Sequence, residues 1–319
     1  MKSDALHSQP KVSVIIPSYM TAHLIAGALD SVLQQTFQDF EIIVVNDGSP
    51  DTPELEKVLA PYRDKIVYIQ QENKRAAGAR NTAIAHAKAE FLAFLDSDDT
   101  WLPDHLASQM KRFEQDPALD LVYADGMLDA PEWSRKFSEL CPSQGPPGFE
   151  ALVLERCQIP VSTVVVRKQA LARASFFDET LQRCDDYDMW LRTAFYGARI
   201  GYNQNIQVRF KHFRPGSLGV SRVKMFEAYG KILQKALQTL PLNDTQRDLL
   251  QRRVAEIRPL YLLELGKDQF REGKLTEAVE SLSEANSHFH KPKLTLLLWG
   301  LKIAPGATRR LVSLALNAT

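Results

Sequence analysis

Three carboxylates, Asp96, Asp98 and Asp99, fall within four residues of one another. Like charges crowded this closely are costly unless something positive sits among them. A hard divalent cation bound through oxygen would neutralise them. Mg²⁺ typically takes one or two protein carboxylates together with phosphate oxygens. Asp98, Asp99 or Thr100 could instead cap a helix starting near Pro103, a residue type favoured in a first turn. Capping explains one Asp well and all three poorly. A second acidic cluster stands at Asp185, Asp186 and Asp188. The apolar spacing from Met189 to Phe195 indicates a helix, and Asp185 or Asp186 can cap it. A second carboxylate beside the cap could serve as a general base, which needs hydrogen-bond reach to a substrate hydroxyl. Asp188 and Arg192 are spaced four apart, as in a helix-surface ion pair.

Elements are needed to carry these groups. Phe91–Leu95 is apolar without a break, the pattern of a strand buried on both faces of a parallel sheet. Val12–Ile16 reads as another such strand, stopped by Pro17. Glu41–Val45 is a second, followed by the turn from Asn46 to Pro50. Ile66–Ile69 is a third. Helical spacing fills residues 21–36, 53–62 and 76–88 between them. Short buried strands alternating with helices predict βαβ units and a mainly parallel sheet. Further strands are expected at Leu119–Ala124, ending at Asp125, at Val161–Val166 and at residues 200–210.

In open α/β sheets ligands bind at the carboxyl ends of strands. Those ends carry Pro17, Ser18 and Tyr19, then Asp47, then the acidic turn. A nucleotide site would use such pieces: an aromatic face, a carboxylate for a base N–H, and a metal for a diphosphate. Asp47–Gly48 also suits a plain turn, and Tyr19 suits plain packing. Their convergence on one edge favours a site. Lys74, Arg75 and Arg80 surround a helix N-terminus, where anions are favoured. Arg80 could equally pair with one of the crowded carboxylates. His212 could bind a metal or a phosphate, or be structural.

Lys+Arg and Asp+Glu are both 39, so the formal net charge is zero. With no basic stripe interleaved with aromatics, nucleic acid is not an expected partner. Cys141, Cys157 and Cys184 are far apart and odd in number, which implies neither a disulfide framework nor a zinc knuckle. Residues 1–10 are polar and expected to form a flexible tail without a signal-peptide core. No apolar run approaches the roughly 18 residues of a spanning helix. A cytoplasmic protein is expected, soluble or peripheral on the inner membrane face. After about residue 221 strand signals vanish. Leu265, Gly266, Phe270, Gly273, Ala278, Leu282 and Ala285 suggest one tetratricopeptide-like helical hairpin. The apolar Leu294–Leu301, flanked by Lys291, Lys293, Lys302, Arg309 and Arg310, suits either an anionic membrane surface or a buried bundle helix.

Together these stretches resemble the family 2 glycosyltransferases of GT-A fold. The matching motifs are VSVIIPSY (12–19), EIIVVNDGSPD (41–51), ENKRAAGARN (72–81), EFLAFLDSDD (90–99) and CDDYDMWLR (184–192), with HFRPGS (212–217) weaker. The resemblance covers residues 11–220. It implies an α/β GT-A domain, Rossmann-like, with a mostly parallel mixed sheet and flanking helices; residues 221–319 would add an all-α subdomain. It further implies that Asp47 binds the nucleotide base, with Pro17 and Tyr19 lining its pocket. Asp96 and Asp98 would contact the ribose and a Mg²⁺ or Mn²⁺ on the diphosphate. Asp186 would be the catalytic base, and His212 would reach the metal or diphosphate. Many members have Glu-Asp where this chain has Asp185-Asp186, which leaves open which Asp is the base. The Gln-x-x-Arg-Trp motif of processive synthases is absent. The implied activity is inverting, non-processive transfer of a sugar from a nucleotide diphosphate, UDP by family frequency. The acceptor would be a saccharide or lipid-linked saccharide, in bacterial surface polysaccharide or glycoconjugate synthesis.

Two other readings compete. Asp96-Ser97-Asp98-Asp99-Thr100 fits the Asp-x-Asp-x-Thr of haloacid dehalogenase-like phosphatases, with Asp96 as nucleophile. That motif normally follows the first strand, and here it follows about the fourth. An inactive sugar-nucleotide fold scaffolding partners through its helical tail is the other.

Overall fold

The computed structural model describes residues 9–130, 132–141, 143, 147–211, 221–304 and 306. His212 lies outside the described residues. The chain divides into two compact units, Met1–Ser217 and Leu218–Thr319.

The first unit alternates strands and helices: β1 (Val12–Ser18), α1 (Ile25–Leu33), β2 (Phe40–Asp47), α2 (Thr52–Leu59), β3 (Val67–Gln71), α3 (Arg75–His86) and β4 (Phe91–Phe94). It continues with β5 (Thr100–Trp101), α4 (His105–Gln115), β6 (Leu121–Ala130), β7 (Trp133–Lys136), α5 (Phe137–Leu140) and α6 (Phe149–Val153). It closes with β8 (Val165–Arg167), α7 (Lys168–Arg173), α8 (Asp185–Phe195) and β9 (Ile200–Phe210). One mixed sheet runs in the order β3-β2-β1-β4-β8-β6-β9-β5, with β7 on β6. The first four strands are parallel. β8 is antiparallel to both β4 and β6, so β6 points the same way as β4 again. The carboxyl ends of β1, β2, β4 and β6 therefore share one edge. The apolar runs Val14–Ile16, Ile42–Val45 and Phe91–Leu95 are fully buried, as the unbroken pattern demands.

Three expected boundaries move. β1 runs through Pro17 to Ser18. The Leu95 N–H donates to the Ile15 carbonyl, so alternate residues from Ile15 face β4. β4 has ended by the level of Pro17, and its missing N–H breaks no ladder. β6 continues past Asp125 to Ala130, with its register against β9 shifting on both sides of Asp125. The segment Val161–Thr163 is a tight 3-10 turn rather than strand, following Pro160; only Val165–Arg167 joins the sheet.

The second unit is helical: α9 (Arg222–Thr239), α10 (Asp244–Glu272), α11 (Leu275–Phe289) and α12 (Pro292–Ile303). A reciprocal capping box between Asn243 and Gln246 starts α10. Gly273, at φ +83°, ends it in the left-handed conformation. Gly266 sits where a Cβ would meet Leu282 Cγ at 2.6 Å. A side chain there would hold α10 off α11, which is why the hairpin carries glycine at that position. Among the described residues, no helix is long and apolar enough to cross a membrane.

Candidate active site

The acidic turn begins where β4 ends. Oxygens of Asp96, Asp98 and Asp99 lie within 4.8 Å of one another. Asp99 is buried, and burial together with the charges of Asp98 and Asp96 raises its pKa well above the ordinary carboxylate range. Ser162 holds the turn in shape. Its Oγ donates to Asp99 Oδ2 at 2.7 Å and accepts from the Asp96 N–H at 3.1 Å. The Ser162 carbonyl accepts from Trp101 Nε1 at 2.7 Å. The Lys211 N–H donates to Asp99 Oδ1 at 3.2 Å. Asp99 is thus engaged by protein on both oxygens, while Asp96 and Asp98 are partly exposed. Asp96 and Asp98, partly exposed and with oxygens this close, offer the hard donors that fit a divalent cation such as Mg²⁺ or Mn²⁺.

Arg80, on α3, is the charged group that answers these carboxylates. It is buried, and its Nη2 donates to Asp96 Oδ1 at 2.7 Å. Its Nη1 donates to Asp185 Oδ2 at 2.6 Å. Ion pairing with both keeps the guanidinium charged against the cost of burial. The guanidinium also lies over the Phe177 ring, 5.6 Å from its centre. The next residue, Asn81, donates to the Phe177 carbonyl at 2.9 Å and accepts from the Phe177 N–H at 3.0 Å. These bonds fix α3 against the segment leading into α8.

At the start of α8, Asp185 faces Arg80, and Asp186 receives the N–H of Tyr187 at 2.9 Å. Burial first, then the Asp185 charge, pushes the Asp186 carboxyl upward; Arg80 opposes them. Cys184, just before the helix, takes the left-handed conformation at φ +55°. Asp188 is a structural member of the cluster. It is buried and pairs with Arg192, whose Nη2 also donates to the Phe176 carbonyl at 2.8 Å. The spacing predicted this pair; its burial is additional.

Asp47 closes β2 and is buried. Its Oδ1 accepts from Gln71 Nε2 at 2.6 Å and from the Lys74 N–H at 2.8 Å. Gly48, at φ +63°, brings the backbone so close to Asn73 that a Cβ would stand 2.7 Å from its nitrogen. Tyr19 is 47% exposed at the end of β1, an open ring beside this edge. Pro17 lies inside β1. Lys74 and Arg75 are exposed at the start of α3.

Three residues escaped the sequence reading. Ser162 was hidden in a β-branched run, where its hydroxyl is the only polar break besides Thr163. Asp51 ties two loops: its Oδ2 accepts from the Ala22 N–H at 2.9 Å, and its Oδ1 from Ser49 Oγ. Ser49 Oγ accepts from the Met20 N–H at 2.6 Å. Nothing in the spacing of Ser49 and Asp51 distinguishes them from ordinary turn residues.

The Glycosyl transferase family 2 model matches residues 13–179. An uncharacterized glycosyltransferase of Rickettsia felis is 30% identical over 217 residues, covering 66% of this chain and 36% of that protein. The chain therefore spans about a third of the length of that relative. The Escherichia coli UDP-Glc:alpha-D-GlcNAc-diphosphoundecaprenol beta-1,3-glucosyltransferase WfgD is 44% identical over 100 residues, 31% of this chain and 39% of that protein. Among solved structures, the mannosyltransferase PcManGT from Pyrobaculum calidifontis, in complex with GDP-Man and Mn²⁺, superimposes with a TM-score of 0.64. It shares 20% identity, with 95% of this chain and 83% of that one covered. The fold is that of the GT-A glycosyltransferases, as expected. The matched span takes in Asp47, Arg80 and the whole acidic turn, and on that match the chain belongs to glycosyl transferase family 2.

Proposed function

We propose that this chain transfers a sugar from a nucleotide diphosphate, UDP in the first instance, to a hydroxyl of a saccharide or lipid-linked saccharide, with inversion and one sugar at a time. The observation that carries the reading is Arg80, which joins Asp96 of the acidic turn to Asp185 beside Asp186. It ties a carboxylate suited to the donor to the residue next to a carboxylate suited to a base. The choice of UDP and of a lipid-linked acceptor follows the name of the WfgD relative. Synthesis of surface polysaccharide or glycoconjugate is consistent with both.

In this reading Asp47, Pro17 and Tyr19 receive the base. Asp96 and Asp98 would hold Mg²⁺ or Mn²⁺. That ion would supply charge compensation for the diphosphate leaving group. Asp185 is occupied by Arg80, which leaves Asp186 as the base. Asp186 takes the proton from the acceptor hydroxyl while the hydroxyl oxygen attacks the anomeric carbon. The bond to the diphosphate oxygen breaks on the opposite face, and its electron pair leaves with the nucleotide. The phosphatase reading conflicts with the ion pair that Arg80 makes to the would-be nucleophile Asp96.

The test is a screen of nucleotide sugars with and without Mn²⁺, with product configuration read by NMR. Metal-dependent turnover giving an inverted product, abolished in Asp98→Ala and Asp186→Ala, supports the proposal. A retained configuration rules out single displacement.

A further inference from the structure

α12 carries apolar side chains on two opposite sides, separated by Lys293 and by Thr295 with Lys302; a helix with apolar residues on both sides is ordinarily covered on both. Among the described residues, one side is covered. Leu298 and Leu301 are buried, and Leu297 packs on the small core of Phe270, Ala278 and Leu301. The opposite side is open: Leu296 is 75% exposed, Trp299 67% and Ile303 74%. At 3.6 residues per turn these three fall within an arc of about 60°. Lys293 and Lys302 are exposed and flank that arc, each about 60° beyond its edge. The charge along this end of the chain has a single sign. From Ala285 to Thr319 the sequence has no Asp or Glu, but carries Lys291, Lys293, Lys302, Arg309 and Arg310.

We propose that α12 lays Leu296, Trp299 and Ile303 into the surface of an anionic lipid bilayer, with the flanking lysines on the headgroups. An apolar stripe bordered by cations is the composition of a helix that lies in the interface plane. Trp is favoured at that depth because its ring is apolar and its N–H is polar. The lysines add attraction to a negatively charged leaflet. At 12 residues, about 18 Å at 1.5 Å per residue, α12 is too short to span a bilayer and long enough to lie on one. A second copy of the chain would also cover the apolar stripe. The excess of positive charge argues against it, because two copies would bring like charges together.

The test is co-sedimentation of the full chain with vesicles of neutral phosphatidylcholine alone, or with one third anionic phosphatidylglycerol. The chain is expected to pellet with the anionic vesicles, and added salt should release it. Leu296→Glu with Trp299→Glu should lower the bound fraction at least tenfold. Lys293→Glu with Lys302→Glu should lower it separately, without touching the apolar stripe. All four residues are exposed, so an unchanged thermal melt will show that the variants are folded. Equal binding to neutral and anionic vesicles, or full binding by either double variant, overturns the proposal. So does a dimer in solution that the Leu296/Trp299 variant converts to monomer, because a second copy is then the occupant. None of these readings depends on sugar transfer.

Discussion

Asp96 and Asp185 accept hydrogen bonds from the same guanidinium, that of Arg80, at 2.7 and 2.6 Å. The two belong to different motifs, one at the end of β4 and one at the start of α8, yet a single buried fork spans both. Removing it leaves two carboxylates facing each other without compensation. Arg80→Ala should therefore lower stability by about 3 kcal/mol or more, the scale for breaking a buried ion pair. Urea unfolding measures this. Arg80→Lys keeps the charge but not the planar fork. It should retain more of the fold and still lose at least tenfold in kcat/KM.

On the proposed reading Asp186 is the base, and it then gives a pH dependence with a definite sign. A base works when deprotonated, and burial with the Asp185 charge raises its pKa. The acidic limb of kcat/KM should then lie above the range of an ordinary aspartate, about 3.9. Asp186→Asn should lower kcat by about 10²–10⁴-fold and flatten that limb. Stability moves the other way. A carboxyl raised in the fold stabilises it below the unfolded pKa, and that contribution is lost as pH rises through the folded value. Asp186→Asn should therefore melt higher than the parent at pH 8. An equal or lower melting temperature would contradict the assignment.

Ser162 separates shape from ligation. Ser162→Ala removes the bonds to Asp99 and to the Asp96 N–H while keeping every carboxylate. A buried acceptor left unpaired costs about 1–3 kcal/mol. The variant should be less stable by that amount and bind Mn²⁺ more weakly by calorimetry. Unchanged metal affinity would mean that the turn holds its shape without the serine.

His105 should make the fold sensitive to acid. It is wholly buried, stacked on Trp101 at 4.3 Å, with neither ring nitrogen hydrogen-bonded. Burial lowers its pKa from 6.5 to about 3. The unfolded chain binds the proton first, so this contribution to stability declines as pH falls from 6.5 towards 3, by up to about 1.4 kcal/mol per pH unit. His105→Leu should flatten that part of the stability curve, measured by urea midpoints between pH 4 and 7.

Much of this was legible in the sequence. Unbroken apolar runs located the parallel strands, because a strand covered on both faces has no polar period. The acidic turn, Asp47 and the start of α8 were visible because carboxylates at strand and helix ends are conspicuous. What stayed hidden depended on distance in space. No spacing rule joins Arg80 to Asp185, or Ser162 to Asp99. The β-branched composition of Val161–Val166 suggested strand, yet Val161–Thr163 is a 3-10 turn after Pro160. The slip of register around Asp125 came from pairing with β9, a strand far along the chain. The two possibilities for Leu294–Leu301 resolve into a helix with one buried and one open side.

Asp51 bears on the proposed donor site. By receiving the Ala22 N–H and Ser49 Oγ, it fastens the stretch after β1 to the stretch after β2. The two stretches beside Tyr19 are thus tied to each other, and on the proposed reading a nucleotide received there would order little that is loose. Less conformational entropy is lost on association, so more of the contact energy appears as affinity. Cutting the tether with Asp51→Ala would weaken the grip on nucleotide through a residue assigned no contact with it.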